Sequence, residues 1–480
     1  MNYKIIAQTA GKVMLIEAAC FVPMIIAALL FGDSVLPFLV SVLVTVALGL
    51  PLAKIKSSNK SHFFARNAFV TVVVAWLTLS VFGALPFLIS GRFESIIDCF
   101  FESISGFTTT GATIYYDVES LPRSILLWRS FTNFIGGMGI LVLATALVSN
   151  HQDRSFHLMQ AEVPGPTASK LVPKLSQSSK ILYCIYIALT IIELITLLIA
   201  GLDLFDAVNL SLTTAGTGGF SVTNANILAY HSATIETILS IFMFIYSINF
   251  AIYFLLLTGR LKQIAKNREL RFFLAFVAVS VLLITWNIHG TYGNIPDSLR
   301  HAFFTVTSAV STTGFTFADY DFWPELSKLI ILILMVVGAC AGSTSGGIKC
   351  SRIMIAFESI KHEVKKLIHP RSINVVTLGD DVVRQRTVNS VTRFLVAYFL
   401  VLILSTFLIT FDGFDIQSNM TTVISCLSNV GHGFNLTGPL RDYSFYSGFS
   451  KIVLSMCMLI GRLEIFPVLV FLSPATWKKS

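Results

Sequence analysis

Charged residues are scarce in this chain. Only 12% of its 480 residues are Asp, Glu, Lys or Arg, whereas 54% are hydrophobic and 40 are Phe. Soluble domains carry about 25% charged residues, and the mean hydropathy here is +0.77. This balance excludes a soluble cytosolic enzyme and a disordered chain. The net charge of +8 does not indicate nucleic-acid binding, because its distribution along the chain has a better explanation below.

The sequence also has few residues arranged for catalysis or metal binding. Its seven Cys are scattered without a CxxC pair and its nine His include no HExxH pair, so neither a disulfide framework nor a zinc site is predicted. There is no GxGxxG after a strand pattern and no Walker A sequence, so no nucleotide site is predicted in this chain. An intramembrane enzyme would need a nucleophile–base pair or a metal cluster in the apolar segments, and the sequence has none. We therefore predict neither enzymatic activity nor a cofactor.

Long apolar runs dominate the chain instead. A helix of about 20 apolar residues crosses the roughly 30 Å hydrocarbon core, and we identify ten such segments, the eighth of them interrupted. They are residues 13–31, 36–53, 69–89, 125–148, 181–201, 235–258, 272–289, 326–357, 394–411 and 452–472. The first is not a cleavable signal peptide, because it lacks an A-x-A site and a second span follows directly. The sequence predicts an all-α polytopic membrane protein.

Basic residues lie mainly on one side of these spans. With the N-terminus in the cytoplasm, most of the 34 Lys and Arg fall in cytoplasmic segments, in agreement with the positive-inside rule. Acidic residues such as Asp117, Glu119 and Asp319 then fall on the outer side, where they raise the local cation concentration. We predict a multi-pass protein with both termini in the cytoplasm.

Four connections on the outer side contain a similar glycine-rich element. They read SISGFTTTGAT (103–113), LTTAGTGGFS (212–221), SAVSTTGFT (308–316) and CLSNVGHGF (426–434). Aligned on one glycine each, they recur about 100 residues apart, which indicates an internal repeat. The aligned glycines are Gly111, Gly218, Gly314 and Gly431.

A segment too short to span the membrane precedes each element. The four segments are 95–107, 205–214, 297–310 and 414–426. Non-helical backbone is tolerated at membrane depth only where protein or a water-filled cavity surrounds it, so we predict re-entrant half helices followed by extended strands, all around one pore. An acidic residue near the start of each half helix complements the positive end of its dipole. These residues are Asp98, Asp206, Asp297 and Asp415.

No carboxylate lies in the four glycine turns. A cation there would be bound by backbone carbonyl oxygens, with Thr hydroxyls at the edge, as in potassium filters rather than divalent-cation pores. Glycine suits a strand whose successive carbonyls face one axis. One such element could be an ordinary interfacial turn, but four at matching positions predict a selectivity filter. The predicted filter residues are Thr109, Thr110, Gly111, Gly216, Thr217, Gly218, Thr312, Thr313, Gly314, Asn429, Val430 and Gly431.

These elements resemble the Trk/Ktr/HKT superfamily of potassium transporters, and within it the bacterial TrkH type. The resemblance covers about residues 64–474 and rests on TTTGAT, FIGGMGI (134–140), TGGFS, STTGFT, GACAGSTSGGIK (338–349), LSNVG (427–431) and GRLEIFPVL (461–469). The two leading spans favour TrkH over KtrB. The family's filter glycines match the four aligned here, and Gly111 in place of serine implies selectivity for potassium over sodium.

The resemblance implies potassium uptake across the bacterial inner membrane through a gated, channel-like pore. It also implies a homodimer that binds a cytosolic TrkA-like nucleotide-binding ring, in contact with membrane lipid and without nucleic acid. The predicted division is two leading helices (1–63), pore repeat 1 (64–150), a cytoplasmic linker (151–177), pore repeat 2 (178–260), pore repeat 3 with a broken gating helix (261–360), a second cytoplasmic linker (361–384) and pore repeat 4 (385–480).

The eighth span is interrupted by a stretch rich in glycine. Each glycine costs about 1 kcal/mol relative to alanine inside a helix, so several within ten residues predict a break. The resemblance implies an intramembrane gating loop beneath the filter, whereas the small-xxx-small spacing of three glycines leaves helix packing as the alternative. The predicted gate residues are Gly338, Gly342, Ser343, Thr344, Ser345, Gly346, Gly347 and Arg462.

Arg462 lies about ten residues into the last span, where an unpaired Arg costs roughly 2.5–3.5 kcal/mol. The family motif contains an Arg here, and a cation beneath the filter would be an electrostatic barrier to potassium. The alternative is a structural pair with Glu464 or with carbonyls at a helix end.

Five further polar residues allow more than one interpretation. His432, where the family commonly has Pro, is either a titratable group at the outer mouth or a hydrogen-bonded histidine at the rim. Arg129 and Lys451 are predicted to snorkel from span ends, without a role. Glu102 and Glu193 are predicted to form hydrogen bonds behind the filter or between helices rather than to bind the ion.

Two alternative functions remain open. A sodium-permeable or sodium-coupled member of the same superfamily would share the fold. An organic-solute symporter with broken helices at inverted repeats would instead have two related halves rather than four quarters.

Overall fold

The computed structural model describes residues 1–55, 65–139, 175–369, 376–378 and 381–478. In these residues the chain is almost entirely helical, apart from a short antiparallel hairpin of Thr377–Leu378 with Asp381–Val382. The predicted all-α fold class is confirmed. The linker predicted at 151–177 lies mostly outside the described residues, and the other predicted segment boundaries stay predictions.

Two leading helices, Tyr3–Phe31 and Leu36–Ala53, pack against each other at the start of the chain. The first ends at Gly32, whose φ of 74° stops the helix in the left-handed conformation. Phe21 links this pair to the rest of the protein, because its ring lies 4.7 Å from that of Trp128 in the first repeat. The leading helices therefore form part of the same packed body as the pore repeats.

Four repeats follow, each with a first helix, a half helix and a second helix. The first helices are Ala65–Gly83, Leu175–Ile199, Arg268–Tyr292 and Gln385–Ile409. The half helices are Ile96–Phe107, Leu204–Gly216, Ile295–Val310 and Ile416–Ser428. The second helices are Arg123–Met138, Ala233–Tyr246, Glu325–Val337 and Gly448–Arg462. We call the side on which the half helices begin the outer side.

Further helices connect or extend these elements. The α-helices are Leu85–Ser90, Phe250–Leu257, Leu261–Lys266, Cys350–Ile368, Phe466–Leu472 and Pro474–Trp477. A single 3-10 turn follows the glycine element in every repeat: Val118–Ser120, Asn226–Tyr230, Tyr320–Phe322 and Asn435–Thr437. A fifth, Thr410–Asp412, ends the first helix of repeat 4. Helix Cys350–Ile368 extends into the region predicted as the second linker.

Each half helix begins with a side chain that caps its free backbone N–H groups. The capping residues are Ser95, Asp203, Asn294 and Asp415. Of the four acidic residues predicted near these starts, only Asp415 is the cap itself. The other three lie in the first turn, where a carboxylate is also favourable for the helix dipole.

Seven of the ten predicted spans form helices that are long and apolar enough to cross a membrane. Within the described part of the chain, six are continuous: Tyr3–Phe31, Leu36–Ala53, Arg66–Ser90, Ser179–Ile199, Arg268–Tyr292 and Gln385–Asp412. The seventh, Ala233–Tyr246 with Phe250–Leu257, is bent by 90° at its middle. The three remaining predicted spans begin as second helices of repeats 1, 3 and 4. Each of these helices ends before the predicted end of its span.

All four second helices end at a break in the helical backbone. Gly139, with a φ of 79°, ends the first, Gly338, with a φ of 68°, ends the third, and Glu464 and Ile465 have positive φ just beyond the fourth. In repeat 2 Asn249 caps the next helix after the 90° bend. The predicted break in repeat 3 is confirmed, but the expectation of a break in that repeat alone was incomplete.

Candidate functional site

The four glycine elements share one backbone conformation. In each, a residue with a φ of 55–57° follows the half helix: Thr109, Thr217, Thr312 and Asn429. Two residues later comes a glycine with a φ of 67–96°: Gly111, Gly219, Gly314 and Gly431. Between these two positions, an N–H donates to the carbonyl five residues earlier at 2.9–3.0 Å in every repeat. These donors are Thr110, Gly218, Thr313 and Val430.

This shared geometry corrects the alignment of the second repeat. Gly218 has the position of Thr110, and Gly219 is the counterpart of Gly111, so the alignment on Gly218 was off by one residue. The segment TGGFS has two adjacent glycines, and its alignment with TTGFT of repeat 3, which matches Phe220 to Phe315, would have identified Gly219 as the counterpart of Gly314. Gly216 accordingly ends the half helix.

The four elements close into a ring. A Cβ added to Gly111 would lie 1.9 Å from the carbonyl oxygen of Gly218, and one on Gly219 would lie 2.0 Å from that of Thr313. Likewise, a Cβ on Gly314 would meet the Val430 oxygen at 1.9 Å, and one on Gly431 would meet the Thr110 oxygen at 2.3 Å. Each repeat thus touches the next in the order 1, 2, 3, 4 and back to 1. The predicted arrangement of four repeats around one pore is confirmed.

The ring requires glycine for two reasons. The positive φ costs roughly 1–2 kcal/mol for other L-residues, and the neighbouring carbonyl oxygen occupies the space of any Cβ. Both reasons apply to Gly111, Gly219, Gly314 and Gly431. The carbonyl oxygens of one repeat therefore lie directly against the backbone of the next.

The ring presents neutral oxygen atoms. The hydroxyl of Thr110 bonds that of Thr108 at 2.8 Å, and Asn429 Nδ2 donates to Thr110 Oγ1 at 3.0 Å, which joins repeats 4 and 1. Thr109 Oγ1 is buried without a hydrogen-bond partner. Carbonyl and hydroxyl oxygens without carboxylates suit a monovalent rather than a divalent cation.

The loop after the second helix of repeat 3, residues 338–349, lies against the inner end of this ring. The Gly346 N–H donates to Thr312 Oγ1 at 2.6 Å, and the Gly347 N–H donates to the Ser428 carbonyl at 3.0 Å. A Cβ on Gly346 would lie 2.0 Å from that same carbonyl oxygen. The predicted gate glycines thus lie in a non-helical loop that contacts repeats 3 and 4. Packing of one regular helix on another, the alternative interpretation of their spacing, is not what the structure shows.

Residues of repeats 2 and 3 also hold this loop. Glu269, at the start of the first helix of repeat 3, accepts from the Ala341 N–H at 2.7 Å and from the Ser351 N–H at 3.2 Å. The Phe250 N–H donates to the Gly342 carbonyl at 3.0 Å, beside the break in repeat 2. Sequence analysis missed Glu269, because an acidic residue at a helix start ordinarily serves the helix itself.

Arg462 connects the loop to two other repeats. From the second helix of repeat 4 it donates to the Thr344 carbonyl at 2.9 Å, to the Gly137 carbonyl at 2.7 Å and to the Gly136 carbonyl. Glu464 pairs with Arg352, so the structure does not show the pair of Arg462 with Glu464 that the alternative interpretation included. Contact with helix-end carbonyls does occur, at the end of the second helix of repeat 1.

The comparisons with known proteins agree with this architecture. A family model described as TrkH, cation transport protein, matches residues 38–479. This chain belongs to the TrkH family of cation transport proteins. It is 35% identical to the Trk system potassium uptake protein TrkH of Escherichia coli (strain K12), with 100% of both chains covered. It is 34% identical to the Trk system potassium uptake protein TrkH of Halomonas elongata, again with full coverage of both.

A solved TrkH structure has the same fold. The crystal structure of the potassium transporter TrkH from Vibrio parahaemolyticus matches this chain with a TM-score of 0.89 and 31% identity, over 100% of each chain. Membership of the TrkH family makes this chain a multi-pass membrane transporter and not an enzyme.

Two basic residues of this TrkH-family chain are buried rather than snorkelling. Arg129 is 1% exposed and its Nε lies 2.7 Å from Glu102 Oε1. Lys451 is 9% exposed and its Nζ lies 2.7 Å from Asp98 Oδ1. The predicted snorkelling was wrong, because each cation has a carboxylate partner on the half helix of repeat 1. The predicted hydrogen bonding of Glu102 behind the glycine element is confirmed.

A cavity of about 230 Å³ opens above the ring, between repeats 1, 2 and 4. Gly111, Gly219, Arg129 and His432 are among the residues that line it. His432 directly follows the ring glycine Gly431 and is 8% exposed. Its Nδ1 is buried without a hydrogen-bond partner.

The corrected alignment of repeat 2 predicts a difference between its adjacent glycines. Gly219→Ala is expected to abolish cation uptake, because its Cβ would meet backbone. The three atoms nearest a Cβ on Gly218 all belong to the side chain of Asn133, at 2.3–2.7 Å. We therefore expect Asn133→Ala to restore uptake to Gly218→Ala but not to Gly219→Ala. Rubidium uptake per amount of folded protein measures this, and rescue of the Gly219 variant alone would contradict the alignment.

Proposed function

We propose that this protein takes up potassium through a pore whose selectivity filter is the ring of four glycine elements. The observation that carries the proposal is the closed contact of each ring glycine with the carbonyl oxygen of the next repeat. The filter would comprise residues 109–111, 217–219, 312–314 and 429–431. Gly216, predicted from sequence as a filter residue, lies at the helix end just before it.

Backbone oxygens account for the choice of a monovalent ion. Carbonyl oxygens replace the hydration shell of potassium in known filters, whereas rings of Asp or Glu are typical of other cation pores. The C-terminal ends of the half helices precede the ring in all four repeats, and their negative dipole ends favour a cation there. The printed names of the relatives, which are potassium uptake proteins, support potassium as the ion.

We also infer that the loop 338–349 is the gate of this pore. Its contacts with Thr312 and with the Ser428 carbonyl support a position beneath the filter. The Arg462 guanidinium, which binds the loop at the Thr344 carbonyl, adds positive charge near the path of a cation. Opening would then require the loop to leave these hydrogen bonds.

The remaining features of the proposal follow from the family and from charge. Both termini would be cytoplasmic, which places exposed basic residues such as Lys361, Lys365 and Lys366 on the side of anionic lipid, whereas Lys349 and Arg352 are buried. The chain would form a homodimer. A cytosolic TrkA-like nucleotide-binding ring bound to this homodimer would control the gate. The membrane potential would drive uptake with about 2.3 kcal/mol per charge for each 100 mV.

Rubidium uptake by the purified protein in liposomes tests the proposal. With an inside-negative potential, we expect uptake that excess potassium abolishes and that equal sodium leaves almost unchanged. Protein-free liposomes are the control. Equal competition by sodium would favour the sodium-permeable alternative, and uptake insensitive to all alkali cations would contradict an ion pore.

A further inference from the structure

A buried ion pair lies directly behind the filter at the junction of repeats 1 and 2. Arg129, on the second helix of repeat 1, binds Glu102 on its half helix at 2.7 Å, and their side chains are 2% and 0% exposed. Salt screens a buried pair only weakly, and the pair as a whole is neutral. The pair therefore neither attracts nor repels a passing cation strongly. Any effect of the pair on the ion must come from the backbone segments that it positions.

The pair holds the non-helical segment that follows the filter in repeat 1, at Thr113 and Ile114. Glu102 accepts from Thr113 Oγ1 at 3.1 Å and from the Ile114 N–H at 3.2 Å. Arg129 Nη2 donates to the same Thr113 hydroxyl at 3.2 Å. Thr113 lies two residues after Gly111, so the carboxylate and the guanidinium together position the outer end of this filter segment.

Arg129 also reaches into repeat 2. Its Nη1 donates to the Ser221 carbonyl at 3.1 Å, and its guanidinium lies 4.2 Å from the centroid of the Phe220 ring. Phe220 and Ser221 directly follow Gly219. One guanidinium thus binds the segments that follow the filter in both repeats. Its planar fork allows this while Nε remains bonded to Glu102.

The other three junctions between these segments of neighbouring repeats are joined differently. In the described residues, backbone and hydroxyl hydrogen bonds join them: from the Ile227 N–H to the Thr316 carbonyl at 3.0 Å, from Thr316 Oγ1 to the Pro439 carbonyl at 2.8 Å, and from the Tyr443 N–H to the Thr113 carbonyl at 2.8 Å. The Asn435 N–H also donates to Asp321 Oδ1 at 3.3 Å, and the buried Lys451–Asp98 pair joins repeats 4 and 1 through their helices. Among the described residues, the junction of repeats 1 and 2 is therefore the one at which a buried ion pair contacts both segments that follow the filter.

We propose that Arg129 and Glu102 are positioning residues for ion selectivity, which fix the distance between the filter segments of repeats 1 and 2. The inference rests on the proposed filter. Without the pair, the carbonyls near Gly111 and Gly219 are free to move apart or together, and the fit to potassium over sodium is lost. Removal of one partner alone would leave a buried charge unpaired and destabilise the protein.

The test therefore removes both charges together, in Glu102→Gln/Arg129→Met. The matched control is Asp98→Asn/Lys451→Met, because that pair is equally short, is also buried and has its carboxylate on the same half helix. The readout is the sodium concentration that halves rubidium uptake, divided by the corresponding potassium concentration, for folded protein isolated by size-exclusion chromatography. We expect this ratio to fall about tenfold in the test variant, and to stay at the wild-type value in the control.

Arg129→Lys provides a second measurement. A lysine keeps the charge opposite Glu102 but lacks the fork that reaches both segments, so we expect a ratio between those of the wild type and the double variant. If the double variant does not fold, Arg129→Lys decides, and a wild-type ratio in it overturns the inference. A wild-type ratio in a folded double variant, or an equal fall in the control, also overturns it.

Gly111→Ser, measured in parallel, separates this inference from the proposed filter. If Gly111→Ser lowers the ratio and the Arg129–Glu102 variants do not, the inference fails and the proposed filter stands. If neither lowers the ratio, the proposed filter itself fails.

Discussion

Gly111→Ser is expected to reduce the discrimination between potassium and sodium about tenfold, which is equivalent to about 1.4 kcal/mol. A side chain at this position would have to adopt a φ of 75°, and its Cβ would lie 1.9 Å from the Gly218 carbonyl oxygen. That oxygen must move, and it belongs to the ring that contacts the ion in the proposed filter. Competition of sodium with rubidium uptake in liposomes measures the change.

Gly290→Ala is the matched control for this substitution. Gly290 lies in the first helix of repeat 3, and an added Cβ there would meet no atom within 4 Å. We expect uptake and selectivity at the wild-type level in this variant. Unchanged selectivity in Gly111→Ser, with folded protein, would contradict the assignment of the filter.

Deletion of residues 343–346 is expected to raise basal uptake about tenfold. The deletion removes the Gly346 hydrogen bond to Thr312 and the Thr344 carbonyl that binds Arg462. Each hydrogen bond contributes about 1 kcal/mol, so the loss of both is enough for a tenfold change in the open fraction. The measurement is rubidium uptake by the purified protein alone, without any regulatory subunit.

Selectivity distinguishes an open gate from a damaged filter in the deletion variant. The ring glycines remain in place, so sodium should compete no better than in the wild type. Thr344→Ala is the control, because it keeps the backbone oxygen that Arg462 binds, and we expect its uptake to be unchanged. Low basal uptake in the deletion variant would contradict a gating role for the loop.

The repeats were predictable because their signals are local. Apolar length predicted the spans, and short segments before a glycine turn predicted the half helices, whose observed bounds differ by only a few residues. Ile96–Phe107, for example, corresponds to the segment predicted at 95–107. Caps and dipole charges act within one turn of a helix, so the sequence carries this information directly.

The alignment within repeat 2 was missed although the sequence carries a signal for it. Thr217 and Phe220 flank the two glycines as Thr312 and Phe315 flank Thr313 and Gly314, and the structure shows the result in the close approach of Gly219 to the Thr313 oxygen. The burial of Arg129 was missed for a different reason. Its position near a span end suggested snorkelling, whereas Glu102 approaches it from another helix.

By itself, the amino-acid sequence determined that this is a helical membrane protein with four related quarters and a carboxylate-free glycine turn in each. These properties depend on hydropathy, periodicity and backbone preference, which act over a few residues. Only the tertiary structure decided which glycines meet which carbonyl oxygens, and that Arg462 binds Thr344 rather than Glu464. Those outcomes depend on contacts between residues about 100 or more positions apart, because close packing of four repeats around one axis selects among arrangements that are locally equivalent.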